Sequence, residues 1–138
     1  MKEKIKVIFW LLIFVFILII SYFVIPFEHT IKRTLFPYLA ILGFIFFSLG
    51  GLLIYCTIKS KVKGKFKLFL ILTGITPIVA LISVLLHNLV YGLMIYLFGQ
   101  DFWGETGDEA FFFIIALIVC PIVFLVGVIG SIIMFKKK

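Results

Sequence analysis

Apolar positions in this chain do not recur every third or fourth residue; they run on without a polar face. Val7 to Ile25 is apolar except for Ser21 and Tyr22, and similar runs extend from Phe36 to Ile58, Leu68 to Phe98 and Ala110 to Phe135. A helix that is apolar all round belongs in lipid or deep in a large core. Runs near 20 residues match a hydrocarbon layer of about 30 Å. The pattern predicts an all-α integral membrane four-helix bundle, a single membrane domain over residues 1–138 with spans 7–25, 36–58, 68–98 and 110–135.

Composition closes off the soluble alternative. The 138 residues are 64% hydrophobic and 14% charged, with 18 phenylalanines, whereas soluble domains have about 45–50% and about 25%. A chain of this size could not bury that much apolar surface in water. The first run also has lysines before it, as a signal peptide would. It is too long for a cleaved signal core, and no small-residue cleavage site follows, so it is expected to stay as a helix.

The net charge of +7 changes the picture only through its placement. Lys2, Lys4 and Lys6 precede the first span, Lys59, Lys61, Lys63, Lys65 and Lys67 fill the second connection, and Lys136, Lys137 and Lys138 end the chain. Against those eleven stand Lys32 and Arg33 in the first connection, while the third, "GQDFWGETGDEA", holds four acids and no base. By the positive-inside rule both termini are expected in the cytoplasm of a cell-membrane, multi-pass protein. The lysines would also meet anionic lipid there. No nucleic-acid partner is expected, because the basic groups already have this use. Trp10 and Tyr55 fall toward the lysine side and Tyr22, Tyr38 and Trp103 toward the other, as interfacial aromatic belts do.

The polar residues inside the runs are few. From Leu68 to His87 is nineteen residues, about 29 Å of helix at 1.5 Å per residue. His87 and Asn88 therefore fall near the outer boundary, with Pro77 at the midplane; a membrane portion beginning near Pro77 would instead make them central. The run to Phe98 is too long for one upright span. It tilts, projects outward as helix, or bends near Gly92 to lie along the interface.

At about 100° per residue, Thr73, Thr76, Ala80, Ser83, His87 and Tyr91 share one face of the third helix, with Asn88 at its margin. On the fourth helix Ala116, Cys120, Gly127 and Ser131 form a matching stripe of two small-xxx-small pairs. The two stripes are expected to pack together, Ala80, Ser83 and His87 against Ala116 and Cys120. Pro121 should kink the fourth helix.

Asp108 is placed to cap the fourth helix, and Glu109 falls in its first turn, where the helix dipole favours an acid. His87, Asn88, Tyr91, Asp108 and Glu109 thus form a candidate polar cluster at the outer layer, with Glu28 and His29 in the neighbouring connection. No H-x-x-x-H or E-x-x-H spacing supports a metal, and Cys56 and Cys120 make no metal or redox motif. No cofactor and no catalytic residue are expected. The simplest use of His87 and Asn88 is to hydrogen-bond the loop or the fourth helix.

The pattern "LTGI…VLLHNLVYGL…FG…FW…GDEAFFFIIALIVCPIVFLVGVIGSI", over residues 72–133, resembles an uncharacterised group of small prokaryotic multi-span membrane proteins. The resemblance implies that the second half is the defining part, and brings no activity with it. The expectation is a non-enzymatic membrane component acting through helix–helix contacts with a membrane-protein partner or as a homo-oligomer. The alternative is a small oligomeric channel or transporter with a polar path along the third helix.

Overall fold

The computed structural model describes residues 2–137, which form four long helices: α1 Lys2–Val24, α2 His29–Lys59, α3 Gly64–Phe98 and α4 Phe111–Lys136. No strand occurs among the described residues. All four helices are long and apolar enough to cross a membrane. In hydrocarbon the backbone must satisfy its own hydrogen bonds, so each apolar run becomes continuous helix.

The helices outrun the apolar segments. α2 starts at His29 rather than Phe36, and α3 at Gly64 rather than Leu68. Lysine stems can lie along apolar surface while the ammonium stays in water, so the helix need not stop where the charges begin. Between α2 and α3 the chain reverses through Lys61 and Gly64, both at positive φ, and buried Val62 anchors the turn in the core.

α3 is unbroken for 35 residues, about 52 Å at 1.5 Å per residue. The bend considered at Gly92 does not occur. A glycine inside a helix costs only about 1 kcal/mol relative to alanine, and Gly92 keeps helical geometry. The helix stops at Gly99, whose φ of 92° suits glycine. Pro77 likewise lies within continuous helix, buried against α2. In α4 the disturbance expected from Pro121 takes the form of a π turn, Ile115–Val119, in which the Cys120 amide donates to the Ile115 carbonyl. Proline has no amide to continue the α pattern at this point.

α3 packs against both α2 and α4, and α1 against α2. Two kinds of contact hold the bundle. Glycines let backbones approach: a Cβ added to Gly50 would lie 2.5 Å from the Gly74 carbonyl oxygen, and one added to Gly127 would lie 2.6 Å from Thr73 Oγ1. Phenylalanines fill the wider gaps. Phe124 of α4 lies tilted against Phe16 of α1 with ring centroids 4.5 Å apart, and meets Phe46 of α2 edge-on at 5.3 Å. Lipid is as apolar as these side chains, so close packing rather than escape from water favours the assembly.

One end of the bundle is defined by three rings. Phe135 of α4 lies 5.3 Å from Phe9 of α1 and 4.9 Å from Phe66 of α3. The N-terminus, the α2–α3 turn and the end of α4 therefore share one end, which gathers the lysine clusters. The α1–α2 and α3–α4 connections occupy the other. Cys56 and Cys120 are both buried and free.

Candidate functional site

Acidic groups concentrate at the end away from the lysines, and two of them meet a histidine where α3 passes the start of α4. After Gly99 the chain makes a 3-10 segment, Gln100–Thr106, and turns at Gly104 and Gly107, both at positive φ. This brings Asp108 and Glu109 back onto α3.

His87 lies between the two acids. Its Nδ1 is 3.0 Å from Glu109 Oε2, and its Nε2 is 3.4 Å from Asp108 Oδ1. Glu109 is buried, 5% exposed, yet its carboxylate is well supplied with donors. The Phe112 amide donates to both of its oxygens, at 3.0 and 3.2 Å. Burial pushes the Glu109 carboxyl up, but the His87 hydrogen bond, the Phe112 and Phe111 amides and the nearby imidazole charge outweigh it. The net position is below the usual 4.5. A carboxylate only accepts, so His87 Nδ1 carries the proton in this bond.

Ala110 holds the N-cap position of α4, and the side chain that accepts from the helix entrance is that of Glu109 just before it, not Asp108 as the sequence pattern suggested. The Glu109 side chain accepts the Phe112 amide three residues on, whereas Asp108 Oδ1 accepts the Glu109 amide at 2.8 Å. The turn at Gly107 sets Asp108 outside the helix entrance, leaving its partner Glu109 facing the free amides.

Aromatic rings complete the site. Tyr91, one turn beyond His87, lies stacked at 6.5 Å, and the Trp103 indole stacks on Tyr91 at 6.0 Å and 12°. The indole N–H donates to the Tyr91 carbonyl at 3.3 Å, and Phe113 lies 5.6 Å from the imidazole. Of the candidate cluster, His87, Tyr91, Asp108 and Glu109 come together. Asn88 does not join them: its amide donates to the Val84 carbonyl of its own helix at 2.9 Å, on the exposed side. Glu28 and His29 are exposed in the other connection. Trp103 is a member that the belt pattern alone did not assign; the signal was its position one short loop after Tyr91.

The two nitrogens of His87 address different carboxylates, so one ion cannot be shared by all three groups. Among the described residues no three His, Cys, Asp or Glu side chains are grouped to hold a metal. The arrangement ties the turns of α3 around His87 and Tyr91 to the loop and to the first turn of α4.

The small-residue stripes lie inside the bundle. Ser83, Ala116, Cys120, Gly127 and Ser131 are buried and Ala80 is half-buried, with α3 packed on the π turn and on the first turn of α4. Thr73 and Thr76 donate to the Phe69 and Leu72 carbonyls of their own helix at 2.8 and 2.7 Å. The Ser131 hydroxyl has no hydrogen-bond partner among the described residues. No family model matches this chain, and neither a curated protein nor a solved structure matches it.

Proposed function

We propose that the protein is a multi-span component of the cell membrane, with both termini and the α2–α3 turn in the cytoplasm, that works through helix contacts rather than catalysis. The partner is another membrane protein or further copies of this chain. Sidedness follows from the lysine clusters at one end, by the positive-inside rule.

The observation that carries the proposal is the fate of the polar stripe on α3. Thr73 is fully buried, Thr76 and Ser83 nearly so, and the threonine hydroxyls bond to their own helix. A conducting path needs polar groups free to face a lumen; here α4 fills that side, with Gly127 against Thr73. What α2 turns outward is different. Ser48 is exposed, and a Cβ added to Gly43 or Gly51 would meet nothing within 4 Å.

Two experiments on the full chain, with Cys56 and Cys120 replaced by alanine, test this. An impermeant thiol reagent applied from outside intact cells should label a cysteine at Gly104 and spare one at Gly64. The reverse would overturn the orientation. Single cysteines at Ser48 and Gly51 should cross-link to a neighbouring chain in native membranes. A protein that remains uncross-linked there and at exposed positions of the other helices acts alone, and the contact proposal fails.

A further inference from the structure

At the end away from the lysine clusters, a groove of about 200 Å³ opens between the last turns of α1 and the first turns of α2. Leu18, Ile25, Phe27, Leu35, Leu39 and Leu42 wall it. Two of the hydroxyls on its walls are already engaged, while Tyr38, also on the wall, is exposed. Ser21 donates to the Ile17 carbonyl at 2.7 Å, and Tyr22 to the Lys32 carbonyl at 3.2 Å. The groove thus offers chiefly hydrocarbon contact, with the Tyr38 hydroxyl on its exposed wall.

A cation stands at its rim. The Lys32 ammonium lies 6.0 Å from the centroid of the Tyr22 ring, and Tyr22 itself lines the groove. No carboxylate pairs with Lys32 or Arg33 among the described residues. Of the acids at this end, Asp108 and Glu109 face His87, while Glu28, Asp101 and Glu105 make no ion pair among the described residues. The Lys32 ammonium thus has no ion pair among the described residues, although Glu28 stands four residues before it.

We propose that this groove is a binding site for one anionic phospholipid, an acyl chain lying between α1 and α2 and the headgroup phosphate meeting Lys32. Charge complementarity selects the occupant: only an anionic lipid carries both a hydrocarbon chain for the groove and a net negative charge for the unpaired ammonium. The bond from Tyr22 to the Lys32 carbonyl fixes the first turn of α2 over the groove, so the cation is held where the chain would enter. The site depends on the helices lying in a bilayer, and not on which end faces the cytoplasm or on any protein partner. It is also separate from the lysine clusters, which lie at the other end.

A local probe distinguishes this site from general lipid contact. Tyr38 lines the groove and is 63% exposed; Tyr38→Trp in a Trp10→Phe, Trp103→Phe background places one fluorophore there. The full chain is reconstituted in mixtures of phosphatidylglycerol and phosphatidylcholine, with either lipid brominated on its acyl chains, and quenching gives their relative binding. Phosphatidylglycerol should be preferred about fivefold, the factor corresponding to about 1 kcal/mol per cation near a surface. The preference should fall to about one in Lys32→Gln and persist in Lys65→Gln. A second reporter, Ile114→Trp on the exposed side of α4, should show no preference. Equal quenching by both lipids at Tyr38→Trp, a preference that survives Lys32→Gln, or the same preference at Ile114→Trp would each overturn the site.

Discussion

Replacing Gly50 by alanine tests whether α2 and α3 are held by backbone approach. The added Cβ would fall 2.5 Å from the Gly74 carbonyl oxygen and 3.1 Å from both Cβ and Cγ of Pro77. Non-bonded carbon contacts are comfortable near about 3.5 Å, so relief requires the helices to part by roughly 1 Å. Neither obstacle can swing aside, since one is backbone and the other a ring within a helix. Overpacking of this kind costs about 1–3 kcal/mol. The better helix propensity of alanine offsets little, because a separated helix in lipid remains helical. Gly51 supplies the control one residue away: nothing lies within 4 Å of its added Cβ, and Gly51→Ala should change stability by less than about 0.5 kcal/mol. Equilibrium unfolding in mixed micelles, followed by loss of helix packing, gives both numbers. Gly74→Ala strikes the same seam, at 2.8 Å from the Gly50 carbonyl oxygen, so the double variant should lose less than the sum of the singles. If Gly50→Ala is no worse than Gly51→Ala, close approach of the two backbones is not what joins these helices.

Two further outcomes concern the outer cluster. His87→Gln retains a donor for Glu109 and should accumulate in the membrane near the normal level, whereas His87→Leu leaves a buried acceptor short of a partner and should accumulate less; equal levels for the two variants would remove the hydrogen bond from the account. Glu109 titrates below its usual 4.5, so its contribution is fully present above that pH and is lost as pH falls through the lower folded value. Trp103 emission in a Trp10→Phe background should therefore shift on acidification below 4.5 in the parent and lose that transition in Glu109→Gln. Superimposable acid profiles would refute the assignment.

The four helices were visible in the sequence because lipid demands apolar residues on every face, and that demand leaves an uninterrupted signal. Helix ends were less visible. The apolar run marks where hydrocarbon begins, while lysines near Gly64 and polar residues near His29 continue the helix beyond it. Gly92 and Gly99 look alike in sequence, and only the latter takes positive φ; the difference lies in backbone geometry that composition does not encode. The polar faces of α3 and α4 could be drawn from spacing alone, and so could the gathering of His87 with the acids, once the depth of His87 was reckoned from Lys67. Which acid accepts from the entrance of α4 could not, because the turn at Gly107 decides it. The Gly50–Gly74 seam was missed for a related reason. A single small residue becomes informative only when its counterpart on another helix is known, and Gly74 lies off the polar stripe, on the flank of α3 that faces α2.

The π turn of α4 has a consequence for how this helix tolerates change in length. Its Ile115–Val119 stretch is wound more loosely than an α-helix, and so stores one residue more than the same turn would otherwise need. Removing one residue there would let the helix close into regular α geometry and leave the upstream turns nearly in place, because the π turn fits its extra residue into a single turn. Phe124, Gly127 and Ser131 would stay in phase with α3, and Glu109 would still face His87. The π turn is thus the place where α4 absorbs the loss of one residue, whereas a deletion in its regular turns, between Cys120 and Phe124, would rotate Glu109 away from His87 by about 100° while the seam below stayed in place.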